Sequence, residues 1–383
     1  MNQTKLIYDK YLLFAALALL AIGLTMVASA SMMISQAKYH QPFHFFFHQL
    51  VYIILGLLLA IVVLRIRILF WENISGILLL SSFIFLILVL IPHVGHRING
   101  SARWIGVGPL RLQVSEYAKF VMIIYLSGYL VRHRQEVEQQ LSGFLKPLFI
   151  LMIMACLLLL EPDFGATVVI SLTTFSMIFL AGARLRLFIV LLLLAVVALS
   201  ILAVSSPYRL LRLTTFLDPW ANQYHSGYQL VQSLIAFGRG GIFGVGLGDS
   251  IQKLFYLPEA HTDFLFAVLA EELGLVGILV VIALYVLLVW RALNIGRRAQ
   301  QAGFLAAGYM AFGIAIWIAM QAFINMGVDA GMLPTKGLTL PLMSYGGSSI
   351  LLTCMAIGLL LRVDYETRTS GAIYPARTSR SEI

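Results

Sequence analysis

Residues 257–274 read "LPEAHTDFLFAVLAEELG", and a long apolar run to Trp290 follows them. The stretch places His261, Asp263, Glu271 and Glu272 on the threshold of a segment that can cross lipid only as a helix. Charges there are expensive, so Glu271 and Glu272 must face a bundle interior or a wet cavity. Pro258 breaks the chain, and the pattern predicts a helix from Thr262 or Asp263. Asp263 then lies in its first turn at the mouth, with Glu271 about 12 Å deeper. The plain alternative for Asp263 is an acid favoured by the helix dipole.

The composition of the chain agrees with a membrane location. Its 383 residues are 60% hydrophobic and 11% charged, well beyond the apolar share of a soluble domain. The net charge of +9 is scattered among short loops, which favours membrane topology over a nucleic-acid stripe. Cys156 and Cys354 lie in apolar runs and read as small buried hydrophobes, with no disulfide framework or metal cluster implied. Lys5 and Lys10, an apolar run and then Ala28-Ser29-Ala30 resemble a cleavable signal peptide. The many later spans favour a retained first helix.

Spans of roughly 20 apolar residues fall near 12–32, 46–64, 74–91, 114–131, 145–160, 165–182, 187–204, 264–290, 303–326 and 344–361. The expectation is an all-α polytopic protein with ten transmembrane helices and both termini on one side. Assigning the termini to the cytoplasm gives that side sixteen of the 26 Lys and Arg residues, as the orientation rule requires. A short segment 1–11 thus precedes a membrane body 12–362, and 363–383 reads as a disordered cytoplasmic tail. Residues 205–262 form one long extracytoplasmic loop between helices 7 and 8, a length usually kept for function.

Several groups could carry chemistry. Glu116 and Lys119 in "QVSEYAKF" are spaced to pair at the outer start of a helix, either as a local anchor or as part of a substrate site. Arg97, Arg103, Arg111, Arg209, Arg212 and Lys336 add outer positive charge against the orientation rule, which suggests an anionic ligand such as phosphate or carboxylate. "FGRGGIFGVGLGDS" could cradle a diphosphate, although glycines that allow close packing are the plainer explanation. Ser344 to Ser349, "SYGGSS", forms a helix-packing face or a polar cavity wall. His40, His44 and His48 have helical spacing, but "FHFFFHQ" reads as an interfacial aromatic belt before a metal site. "EPDFG" is a tight turn in which Asp163 caps the next helix.

The motifs "NGSARW", "SEYAKF", "EPDFGAT", "YRLLRLTTFLDPW", "GYQLVQSLIAFGRGGIFGVGLG", "LPEAHTDFLFAVLAEELG" and "LPTKGLTLPLMSYGGSS" occur in order. Together they resemble the SEDS family (shape, elongation, division, sporulation) across roughly residues 10–365, and "PTKGLTLPLMSYGGSS" looks like its division branch more than its elongation branch. "QVSE" departs from the family, which commonly has Pro before the Ser. The resemblance implies an inverting peptidoglycan glycosyltransferase that polymerises lipid II at the outer face of the inner membrane, at the septum. Asp263 matches the essential aspartate and would be the general base. Arg103, Arg209, Arg212 and Lys336 would neutralise diphosphate charge, with Glu116, Lys119, His261, Ser344 and Ser348 lining the cavity. A class B penicillin-binding protein and other divisome membrane proteins are the implied partners, and Mg or Mn could accompany the lipid diphosphate. The rival readings are a lipid II flippase, which Glu271 and Glu272 keep open, an elongation polymerase, and a non-catalytic divisome scaffold.

Overall fold

The computed structural model describes residues 8–98, 101–107, 110–182, 185–204, 215–335 and 337–373. The helices are α1 (Lys10–Tyr39), α2 (His44–Arg65), α3 (Ile68–Leu90), α4 (Val114–Arg132), the short α5 (Arg134–Gln139), α6 (Leu141–Leu160), α7 (Phe164–Leu180) and α8 (Leu185–Val204). They continue with α9 (Tyr228–Gly240), α10 (Leu265–Gln301), α11 (Leu305–Asp329) and α12 (Gly347–Ile373). Among the described residues, eight of these helices, α1–α4, α6 and α10–α12, are counted as long and apolar enough to cross a membrane. The helix α7 is shorter, with 17 residues.

Burial separates a core from a rim. The most apolar windows of α4, α11 and α12 are 83%, 72% and 78% buried, against 22% and 28% for α2 and α3. The rim helices turn Val51, Ile54, Leu58, Ile61, Ile77 and Leu80 outward. Such a continuous apolar surface suits lipid and would be an aggregation hazard in water. In the core, α2 packs on α12 so closely that a Cβ at Gly358 would stand 2.6 Å from the Ala60 carbonyl, the small-residue packing expected between membrane helices.

The two ends of the described chain meet. Asp9 accepts hydrogen bonds from Arg291 (Nε, 3.0 Å) and Arg298 (3.3 Å) and lies 3.8 Å from Arg368. Burial alone would raise the Asp9 pKa, but the Arg291 bond and charge, the Leu12 N–H and Arg298 outweigh it and hold the carboxyl below its ordinary range. The helix α1 runs unbroken through Ala28-Ser29-Ala30.

Five expectations are corrected. Residues 96–113 are not plain loop: β1 (His96–Ile98), β2 (Ser101–Val107) and β3 (Leu110–Gln113) form a three-stranded antiparallel sheet in the order β1-β2-β3, a small addition to a helical membrane body. The long loop 205–262 contains a helix, α9, whose apolar residues Leu230, Val231 and Ala236 are buried. The segment 363–383 is not all tail, because α12 continues to Ile373 with Asp364 and Arg368 in the ionic cluster. Cys156 is exposed, and only Cys354 is buried. Finally, α10 begins at Leu265 rather than at Thr262 or Asp263, and it is broken at Gly274 (φ 63°, ψ −161°).

That break explains the glycine-rich run. Unwinding at Gly274 frees backbone groups, which must be satisfied within the protein at membrane depth. Residues 241–246 supply the partners: Val245 and Gly246 N–H donate to the Glu271 and Glu272 carbonyls (3.0 and 3.1 Å), and Leu275 and Val276 N–H donate to the Gly241 and Ile242 carbonyls (3.0 and 3.1 Å). Close approach needs glycine here. A Cβ on Gly240 would lie 1.9 Å from the Ala270 carbonyl oxygen, and one on Gly244 2.1 Å from that of Glu272. Of the two readings of this run, close packing is the one seen.

Candidate active site

Asp263 stands outside the first turn of α10. The N-cap is Phe264, so Asp263 lies just before the helix, still beside the N-terminus whose dipole favours an acid. Its carbonyl oxygen accepts a 2.7 Å hydrogen bond from Asn325 Nδ2, which also donates to the Leu338 carbonyl at 2.7 Å. Its carboxylate lies against the chain after α11, close enough that a Cβ on Gly337 would come within 2.9 Å of Oδ2. The acid is thus fixed from behind by α11 and flanked by Gly337 and Leu338.

A polar line continues from there into the core. One turn before Asn325, Gln321 donates to the Thr339 carbonyl (3.0 Å) and accepts from Trp317 Nε1 (2.8 Å) and Lys119 Nζ (2.5 Å). Lys119 pairs with Glu116 at 2.8 Å, both side chains almost wholly buried, and its ammonium lies 5.5 Å from the Trp317 ring centroid. The pairing expected from spacing is therefore present, as an interior ion pair joined to the Asp263 anchor through α11. At the end of α11, buried Asp329 approaches the N–H groups of Phe266 and Ala267 and lies within electrostatic range of Asp263, although neither carboxylate oxygen completes a hydrogen bond.

The other sequence candidates separate by place. His261 is buried, its ring 4.6 Å from Phe45 and 5.6 Å from Tyr345, and its carbonyl accepts from Tyr345 N–H (3.0 Å). Burial lowers its pKa against the opposing charge of Glu259, with Lys38 adding to the lowering. Ser344 is buried, accepting from Leu340 N–H (2.9 Å), while Gln49 binds its carbonyl. Ser348 accepts from Gln113 N–H (2.8 Å) and donates to the Arg111 carbonyl (3.0 Å), tying α12 to β3. Both hydroxyls are engaged in holding backbone. Arg103 donates to the Pro162 carbonyl (2.5 Å) and lies 3.9 Å from Asp163, within the "EPDFG" turn where Asp163 caps α7 through Ala166 N–H. Beside it, Glu161 is fully buried; desolvation, reinforced by the charge of Asp163, pushes its pKa to about 9 against the pull of Arg103. Arg209, Arg212 and Lys336 lie outside the described residues.

Glu271 and Glu272 are buried, as the cost of their charges demanded. His44 stacks on Tyr39 (3.8 Å), and His48 meets the His44 carbonyl through Nδ1 (2.8 Å), in keeping with an aromatic belt. The sequence reading missed Gln321, Asn325 and Asp329. Their signal was available: amides four residues apart in the apolar run "WIAMQAFINMGVD" share a helix face, and polar groups in a span seek partners across it.

A helical membrane protein in which a buried polar line ends on an acid beside a broken helix is the class that fold and site define. Residues 10–369 match the FtsW, RodA and SpoVE family of cell cycle proteins, and the chain belongs to it. It is 61% identical to the probable peptidoglycan glycosyltransferase FtsW of Legionella pneumophila, covering 94% of this chain and 92% of that one. To the protein of the same name in Coxiella burnetii it is 59% identical, covering 94% and 97%. Among solved structures it resembles a chain described under "Structural coordination of polymerization and crosslinking by a peptidoglycan synthase complex", with a TM-score of 0.79, 30% identity and coverage of 94% and 98%. It also resembles the rod shape determining protein RodA of Thermus thermophilus, with a TM-score of 0.70, 29% identity and coverage of 94% and 97%.

Proposed function

We propose that this chain is a peptidoglycan glycosyltransferase that polymerises lipid II at the outer face of the inner membrane during septal wall synthesis. The names of its relatives support the activity, and one observation carries the site: Asp263, held by Asn325 and set against Gly337 where α10 begins. In this reading the Asp263 carboxylate takes the proton of the acceptor sugar hydroxyl. The hydroxyl oxygen then bonds to the donor anomeric carbon from the opposite face, and the bond from that carbon to the lipid diphosphate breaks. Undecaprenyl diphosphate leaves with the bonding electrons, and the configuration inverts. The cations assigned by resemblance, Arg209, Arg212 and Lys336, would stabilise the leaving group.

In this reading the chain crosses ten times, counting α7 and α8 with the other eight spanning helices, with both termini in the cytoplasm and residues 205–262 outside. Basic Arg291, Arg297, Arg298 and Arg362 beside the termini support that orientation. Among the described residues no three His, Cys, Asp or Glu side chains converge on a metal site. In this reading a divalent cation, Mg or Mn, enters with the diphosphate oxygens of the substrate. The synthase complex among the structural neighbours supports a class B penicillin-binding protein as partner.

The test is direct: supply lipid II to the full chain purified with a class B penicillin-binding protein and resolve the glycan strands. Asp263→Asn is expected to lower turnover by about 10²–10⁴-fold, the usual worth of a general base. Strands made by Asp263→Asn at the normal rate would remove the base from Asp263. Lipid II moved across liposomes without polymer would favour the flippase.

A further inference from the structure

Glu271 and Glu272 remain without a role, and so does Lys253, a lysine only 6% exposed. The three belong to one knot. Lys253 Nζ pairs with Glu272 Oε1 at 2.7 Å and donates to Ser29 Oγ (2.8 Å) and the Gly248 carbonyl (2.6 Å), while the Ser29 hydroxyl itself donates to Glu272 Oε1 (2.6 Å). Glu271 turns to the adjacent backbone. It accepts from Ser250 Oγ (2.5 Å), Ile251 N–H (3.1 Å) and Gln252 N–H (3.2 Å), and Arg239 Nε stands 3.3 Å away. Four parts of the chain meet here: α1, α9, the segment 248–253, and the last turn of α10 before its break.

From this point a single run of turns leads to the acid. Leu257 N–H donates to the Gln252 carbonyl (2.8 Å) and Phe264 N–H to the Glu259 carbonyl (3.2 Å), with Asp263 between them and Leu265 beginning α10. The strap 250–264 is thus secured at both ends, by the two glutamates at its start and by Asn325 at Asp263. A helix-end acid accepting from two successive N–H groups fixes the direction in which the chain departs. An ion pair kept for stability alone has no need of that geometry, because apolar side chains can replace it without loss.

We infer that Glu271 and Glu272, through Ser250, Lys253 and Ser29, are positioning residues that hold the strap so that Asp263 meets the acceptor hydroxyl. This rests on the reading of Asp263 as the base. Neither glutamate touches the reacting atoms, so their loss should act on turnover and leave substrate affinity alone.

The decisive comparison uses the full chain with lipid II, measuring kcat, KM and the melting temperature in detergent. Glu272→Gln and Lys253→Met each leave one buried charge uncompensated, and both should melt early. In the double variant both charges are gone, so the melting temperature should return toward wild type. Its kcat should stay down by at least about tenfold with KM within about twofold, as small misplacements of a reacting group demand. Ser29→Ala removes a bond to each partner without changing any charge; it should lower kcat several-fold at unchanged KM, and it keeps the test open should the charge variants fail to fold. Recovery of both melting temperature and kcat in the double variant, a normal kcat in Ser29→Ala, or a rise in KM alone would overturn the positioning role. Full turnover in Asp263→Asn would instead overturn the assignment of the base, whatever the knot variants do.

Discussion

Asn325→Leu tests the anchor of the site. Leucine keeps the branched shape and heavy-atom count of asparagine, though it is somewhat bulkier, and keeps α11 helical, so the main change is the loss of two hydrogen bonds. Both bonds are 2.7 Å long, and the residue is 2% exposed. The carbonyls of Asp263 and Leu338 then stay buried without their donor, at about 1–3 kcal/mol each. A loss of about 2–5 kcal/mol follows, since some relaxation is expected. The larger effect should fall on turnover, because a displacement of about 1 Å at a reacting group can cost about 10²-fold. Gln321→Leu, one turn away, is the control. It releases Lys119, Trp317 and Thr339 but leaves the Asp263 carbonyl held. The expected result is comparable loss of melting temperature in both variants and a much deeper loss of kcat in Asn325→Leu. Equal kcat losses, or a normal rate in Asn325→Leu, would refute the anchoring role.

Glu161, with its pKa pushed to about 9 from the ordinary 4.5, binds a proton in the folded chain that the unfolded chain releases. Stability should therefore fall as pH rises from about 4.5 to about 9, and Glu161→Gln should flatten that slope and add about 1–3 kcal/mol at pH 8 in pH-resolved melting curves. Lys119→Met leaves Glu116 buried and alone, costing about 3–5 kcal/mol, and adding Glu116→Gln should recover most of that loss. Gly244→Ala forces a Cβ to within 2.1 Å of the Glu272 carbonyl at φ 79° and should cost folded yield in membranes. Gly238→Ala, in α9 with open space around it, should be neutral or stabilising by up to about 1 kcal/mol.

Much of this was legible from residue types alone. Long apolar runs can become only helices in lipid, so the spans were readable, and the interior setting of Glu271 and Glu272 followed from the cost of charge. The spacing of Glu116 and Lys119 announced their pair, and Asp163 announced its cap. What sequence spacing could not show was pairing over distance. Ser29 meets Glu272 across 243 positions, and Gln113 meets Ser348 across 235; no local periodicity encodes either. The break at Gly274 was equally hidden, because "AEELGLVG" is a good helical pattern and glycine alone does not stop a helix. It becomes intelligible only when 241–246 is seen to supply the missing backbone partners.

The same long-range pairing changes the meaning of the outer positive charges. The sequence left ten Lys and Arg residues on that face, and the excess suggested an anionic ligand. Four are now explained from inside: Lys119 by Glu116, Lys253 by Glu272, Arg239 by Glu271, and Arg103 by Asp163 and the Pro162 carbonyl. Buried acids need such partners, since an uncompensated charge in a low-dielectric interior costs more than any single hydrogen bond returns. Violation of the orientation rule is therefore partly a record of internal acids rather than of substrate. In the proposed reaction the diphosphate role then falls to residues of other segments, above all Arg209, Arg212 and Lys336. Asp263 is placed by a different kind of contact: α11 grips its backbone through Asn325, and its carboxylate lies against Gly337.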